Sequence, residues 1–334
     1  MHLDSLALHY SSQEALTLSQ LKAGDFDPNY DLGKRKSYCE KHQIGAITQE
    51  NKAFPLKAKA FSQSPFVLYY QGNLELLQCS SLGIVGPRMP SEYGLQVMEA
   101  LFSVANRYKF ITISGFARGI DQQAHQLSLS HKIPTLAILW GGFKHYLRSK
   151  DRELLAKIVD AGGLVLSAFK LWFEPTKRSF PQRNKLIAGC SDLLFLPEAR
   201  EKSGSLITAE FAYQMGKSVV SVPAPLFAPQ SAGIFSKMNE KKIQLITDFD
   251  ACLGNYFSLR GEQQSWTLSS LSMADLTQQQ VQIFQTIAEQ GEMSLEQLMG
   301  KGLSYQELLQ ELTFLELKKW IEEFQPGKYR KKIG

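Results

Sequence analysis

The chain is poor in cysteine. Its four, Cys39, Cys79, Cys190 and Cys252, lie far apart with no Cys-x-x-Cys pair, which argues against a zinc cluster or a disulfide framework and for a reducing cytoplasm. Long apolar runs are also missing: blocks such as Leu136 to Trp140 and Leu193 to Leu196 fall far short of the ~20 residues that a membrane span needs. No membrane partner is expected. The opening Met1-His2-Leu3-Asp4 lacks the basic and then apolar segments of a secretory signal. There is no Gly-x-Gly-x-x-Gly fingerprint and no P-loop, since Gly33-Lys34 has no glycine five residues earlier. No serine or cysteine sits in a nucleophile elbow and no metal-ligand set is visible. No cofactor, no metal and no catalytic residue is therefore expected.

What the chain has is core and basic charge. At 334 residues and 44% hydrophobic it can fill two or three hydrophobic cores. The net charge of +5 is unevenly spread: residues 81–260 hold 22 Lys and Arg against 14 Asp and Glu, whereas residues 261–334 hold 7 against 10. A basic middle favours a polyanionic partner, because neutralised phosphates release condensed counterions. A surplus of this size also occurs on ordinary solvated surfaces, so the motifs must decide.

From Leu82 to Phe257, short runs rich in Val, Ile and Leu alternate with segments of helical period, the pattern of βα units. Strands are expected near 82–86, 110–114, 134–140, 163–167, 192–197, 218–222 and 243–247, and helices near 91–108, 118–132, 149–161, 181–190, 205–216 and 231–241. Right-handed crossovers wind these into an α/β fold, a three-layer Rossmann-like sandwich on a parallel sheet. Residues 1–65 read as a helical unit broken by the turn-rich Gly24 to Gly33, and Phe66 to Gln71 as an edge strand opening a domain over 66–260. A polar, Ser-rich linker covers 261–275. Residues 276–334 carry helical stripes (Val281, Phe284, Ile287; Leu308, Leu312, Leu315) and a hairpin-like ending at Pro326-Gly327, together resembling a winged helix.

Four segments carry the chemistry, each at the carboxyl end of an expected strand, where ligands bind in open α/β sheets. In Gly86-Pro87-Arg88 followed by Ser91, the glycine admits a phosphate to backbone N–H groups and a helix N-terminus, and Arg88 grips it; the plainer reading is a tight turn with a solvated arginine. In Ser114 to Asp121, Arg118 stands between Gly115 and Gly119 as a ligand candidate, and Asp121 and His125, four apart on a helix, form a structural acid–histidine pair. In Lys177 to Lys185, Arg183 and Lys185 suit phosphates, Asn184 a base edge or phosphate, and Phe180 offers a stacking face beside a helix opened by Pro181. Removing Arg183 is expected to spare the fold. Ser203-Gly204-Ser205 opens a further helix as a second anion-binding turn or an ordinary cap.

These segments resemble the DNA-processing protein A (DprA, or Smf) family: Gly86-Pro87-Arg88 with Ser91-Glu92-Tyr93-Gly94, Ser114-Gly115-Phe116-Ala117-Arg118-Gly119-Ile120-Asp121 with Ala124-His125, Phe180-Pro181-Gln182-Arg183-Asn184-Lys185, and Glu198-Ala199 with Ser203 to Ala209. The resemblance implies a non-enzymatic protein of natural transformation that binds and protects incoming single-stranded DNA and helps load the recombinase RecA. It further implies a homodimer, a sterile-alpha-motif-like domain in front, a winged-helix domain behind, and DNA in a pocket formed by Arg88, Arg118, Arg183 and Lys185. Lys185 for arginine, Glu210, and Pro223-Ala224 for Pro-Gly depart from the family pattern. An alternative is a phosphoribohydrolase-like Rossmann enzyme, whose Gly-Gly loop and glutamate Ser203-Gly204-Ser205 and Glu210 faintly resemble. A third reading, a duplex-DNA regulator, requires residues 276–334 to bind alone.

Overall fold

The computed structural model describes residues 32–55, 65–260, 277–299, 305–317, 321–325 and 327–331. These fall into two compact units, Met1–Glu262 and Gln263–Gly334. Most of the expected N-terminal helical unit and the 261–275 linker lie outside the described residues.

The first unit is built on a nine-stranded sheet. In chain order it runs α1 (Leu32–Lys41), β1 (Gly45–Thr48), β2 (Val67–Gly72), β3 (Ser81–Ile84), α2 (Glu92–Ala105), β4 (Ile111–Ser114), α3 (Ile120–Ser130), β5 (Thr135–Leu139), α4 (Phe143–Leu147), α5 (Arg152–Asp160), β6 (Leu164–Ser167), α6 (Ser179–Cys190), β7 (Leu193–Leu196), α7 (Gly204–Gln214), β8 (Ser218–Ser221), α8 (Ala232–Asn239), β9 (Gln244–Leu245) and α9 (Phe249–Tyr256). The sheet order is β1-β2-β6-β5-β4-β3-β7-β8-β9. Strands β3 to β9 pair in parallel, while β2 joins β6 and β1 joins β2 antiparallel. The α/β reading therefore holds. Gly45–Thr48, within the stretch that reads as helical, is instead the outermost strand, so Phe66 to Gln71 does not end the sheet.

The strands are apolar on both faces because helices cover both. Along β7, Leu194 and Leu196 join the core under α6 and α7, while Leu193 and Phe195 join the core under α2, α3 and α9. Alternation of this kind leaves no strand face for water and explains the continuous Val/Ile/Leu runs. The order of connection reverses between β3 and β7, leaving a crevice beyond their carboxyl ends. Helix α6 begins at Ser179, two residues ahead of Pro181; proline is tolerated there because first-turn N–H groups have no intrahelical partner.

The second unit comprises α10 (Gln278–Gln290), β10 (Glu292–Ser294), α11 (Leu295–Met299), α12 (Tyr305–Leu317), β11 (Ile321–Gln325) and β12 (Lys328–Lys331). Its strands form an antiparallel sheet in the order β10-β12-β11. Thr277 and Gln280 close a reciprocal capping box at the start of α10, and Phe284, Ile287, Leu308, Leu312 and Leu315 are buried in one core.

Candidate nucleic-acid interface

A cavity of about 470 Å³ opens at the switch point, walled by the loops after β3, β4 and β7 and the first turns of α6 and α7. Gly86, Arg88, Asp121, Phe180, Arg183, Asn184, Arg200, Ser203, Gly204 and Ser205 line it. All four sequence segments thus contribute directly. Arg118 and Lys185 do not: Arg118 lines a second cavity of about 450 Å³, and the Lys185 Nζ lies 5.7 Å from the Phe211 ring centroid. The four cations expected to converge are split between places, with Arg88 lining both cavities.

Arg183 is the largest departure from expectation. Only 3% exposed, it pairs through Nη1 with Asp121 Oδ2 at 3.3 Å. Burial raises the Asp121 pKa and lowers that of Arg183, and each partner's charge opposes the other's shift. The pair forms a neutral floor. Gly115 makes it possible, because a Cβ there would lie 1.0 Å from Arg183 Nη1. The expected Asp121–His125 pair does not form: Asp121 turns to Arg183 and to the Ala117 N–H, while His125 Nδ1 meets Thr135 Oγ1 at 2.8 Å. Burial drives the His125 pKa down to about 3, so the ring is neutral.

Arg88 is exposed and is placed by backbone geometry. Gly119, at φ +84°, caps α3 and lets the Pro87–Arg88 backbone pass where a Cβ would clash at 2.4 Å. Ile120 N–H donates to Pro87 O, locking the β3 and β4 loops together. The Arg88 guanidinium sits 4.6 Å from the Phe180 centroid and 5.5 Å from that of Trp140. The centroids of the two rings lie 3.6 Å apart, with their planes tilted by 33°. Phe180 lines the first cavity and Trp140 the second, so the pair is the wall between them. Sequence reading missed Trp140; the available signal was an aromatic at the carboxyl end of β5 just before Gly141-Gly142. Arg200, also missed, is exposed on the rim.

Several expected ligands are committed within the fold. Ser91 caps α2 by accepting from Gly94 N–H, and donates N–H and Oγ–H to Glu198 at 2.7 and 2.6 Å. Glu198 is fully buried. Gly86 admits Ile120, whose side chain a Cβ would meet at 2.6 Å. Asn184 donates to Gly204 O, tying α6 to the turn before α7. That turn remains open: Ser203 caps it through Ser205 N–H, and a Cβ at Gly204 would meet nothing within 4 Å. Glu210 lies outside the cavity lining and is paired with Lys242, at 2.9 Å, and Lys237, so the carboxylate to which the enzyme reading points is not among the residues that wall this cavity.

Residues 45–256 match the profile of the DNA recombination-mediator protein A family. DNA processing protein DprA of Bacillus subtilis is 36% identical over 235 residues, 69% of this chain and 79% of the relative. Protein Smf of Escherichia coli is 31% identical over 255 residues, 76% of this chain and 67% of the relative. Among solved structures, DprA from Streptococcus pneumoniae superposes with a TM-score of 0.61 at 26% identity, covering 77% of this chain and 92% of that one. DNA processing protein A from Helicobacter pylori, solved for its single-stranded DNA binding mode, gives 0.54 at 26% identity over 64% and 97%.

Proposed function

The chain belongs to the DNA recombination-mediator protein A (DprA/Smf) family, and from that premise we propose that it binds single-stranded DNA in the switch-point cavity without chemical turnover. One observation carries the reading: the guanidinium of Arg88, the Phe180 ring and the open first turn of α7 face one cavity. A cation and a helix N-terminus suit phosphates, and an aromatic face suits bases that a duplex keeps stacked. Arg88, Arg200 and the Ser203-Gly204-Ser205 turn hold phosphates. Phe180 stacks a base, and Asn184 and Arg183 shape the floor. Arg118 and Lys185 extend the basic surface outside this cavity.

Family membership further suggests a role in natural transformation in the cytoplasm, self-association as a homodimer, and transfer of the bound strand to RecA. The second unit, with its helix–strand–helix–helix–strand–strand order, is read as a winged helix. Comparing single-stranded and duplex oligonucleotides of equal length across a salt series tests the central claim. Single strands are expected to bind more tightly at every salt concentration; equal affinity overturns it. Sedimentation tests the dimer, which a monomer at micromolar concentration removes.

A further inference from the structure

Helix α4 turns His145 to the second cavity, but Lys144, one residue earlier, joins a basic surface that lines neither cavity. We propose that this surface, built around Trp172 by α1 and α4, is a phosphate track that carries a bound single strand onward from the cavities. The inference rests on the single-strand reading above and extends it to residues outside all four sequence segments.

Trp172 is presented by the turn after β6. Phe173 N–H donates to Lys170 O to close that turn, and Lys144 N–H to Leu171 O and Gly142 N–H to Phe173 O pin it to the start of α4. The Arg35 guanidinium of α1 lies 4.9 Å from the Trp172 ring centroid and the Lys144 Nζ 5.4 Å from it. The Tyr38 ring is 5.0 Å away. Cations are drawn to an aromatic face, so one indole gathers charge from two elements. More positive charge crowds the same place: partial burial holds the Lys144 ammonium below the usual lysine range, and the charges of Arg148 and Lys34 lower it further. Glu174 opposes them, but its carboxylate is bonded to His145 at 2.6 Å. Along α1, Lys34, Arg35, Lys36 and Lys41 face Glu40 as the one carboxylate of that helix.

Like charges held together raise the energy of the free protein, and a polyanion relieves that repulsion while releasing its own condensed counterions. Trp172 also places Arg35 and Lys144 in advance, so less rotamer freedom is lost when a phosphate arrives. The track is continuous with the cavities, since His145 lines the second one together with Arg88 and its partner Glu174 lies two residues beyond Trp172. A strand suits this surface better than an anionic membrane. Trp172 is half-buried and approached by two cations, whereas a membrane-surface helix needs an open apolar face to insert. The same cations occupy the indole, so contacts go to phosphates, which carry no sequence information.

The test uses the full chain and all-thymine strands of graded length, with binding read by fluorescence anisotropy across a salt series. The double variant Lys34→Gln/Lys144→Gln is expected to hold the shortest strand that wild type binds with wild-type affinity, which also shows that its fold is intact. On long strands its slope of log affinity against log salt should be flatter by about 1.4, two phosphate contacts at about 0.7 each. Lys144→Arg, which keeps the charge, should retain the wild-type slope. An unchanged slope on long strands, or equal weakening of short and long strands, overturns the track. Wild-type binding to phosphatidylserine vesicles that the double variant abolishes, with strand binding untouched, overturns it in favour of a membrane. If wild type binds no strand of any length, the single-strand reading itself fails, a result distinguishable from the others.

Discussion

Arg88 and Arg183 border the same cavity, but one is exposed and the other is buried against a carboxylate, so the same substitution asks different questions of each. Arg88→Ala should leave the melting temperature unchanged and flatten the slope of log affinity against log salt by about 0.7, the single-strand value per phosphate contact. Arg183→Ala removes the partner of a buried Asp121. It should lower unfolding free energy by roughly 3–5 kcal/mol, the usual cost of stranding one member of a buried pair; a urea midpoint equal to wild type would contradict this. His125 gives a pH-dependent counterpart. Its folded pKa of about 3 lies below the unfolded value of about 6.5, so only the unfolded chain takes up this proton as pH falls from neutral. The stabilisation is complete above the unfolded pKa and is lost on acidification, by about 1.4 kcal/mol between pH 7.5 and 5.5. Denaturant titrations of wild type and His125→Gln at both values isolate it: the variant should lose that much less over the interval.

At the scale of elements, the glycines of the loops do separate jobs. Gly115 leaves room for the Arg183 guanidinium inside the fold, whereas Gly204 opens onto solvent. Gly115→Ala is therefore expected to lower both melting temperature and single-strand affinity, although no strand touches Gly115. Gly204→Ala should keep or slightly raise stability, since alanine is the better helix former by about 1 kcal/mol in a helix interior, and should weaken binding only if phosphate approaches that turn. Thermal melts and anisotropy on the two variants distinguish these roles. The strands were legible in the sequence because a parallel sheet covered on both faces writes itself as apolar blocks, and six of its connecting helices followed from period and caps. Helix α4 was missed because five residues give too short a period, and β1 because its pairing partner is twenty residues away. Within the site, motif spacing located the loops. It could not tell an arginine that faces solvent from one that folds inward on an aspartate, since burial depends on which loop crosses above. The same limit explains Ser91, whose partner Glu198 lies 107 positions further on.

Over the whole molecule, charge and compactness divide at the same place. The unit Met1–Glu262 contains the basic stretch and both cavities, while the acidic C-terminal residues form a unit with its own buried core. A chain ending at Glu262 should fold cooperatively and keep single-strand affinity within about threefold of the full length, a change of under ~1 kcal/mol. Abolished binding in that truncation would move the DNA site to the second unit. No helix among the described residues is long and apolar enough to cross a membrane.

The Trp140–Phe180 wall has an optical consequence. An indole within 3.6 Å of a neighbouring ring and 5.5 Å of a guanidinium emits from an environment that any base entering beside it must alter, so the protein carries its own reporter of occupancy. Titration with an unlabelled single strand should quench part of the tryptophan emission, and Trp140→Phe should abolish that change while an anisotropy signal from labelled strand persists.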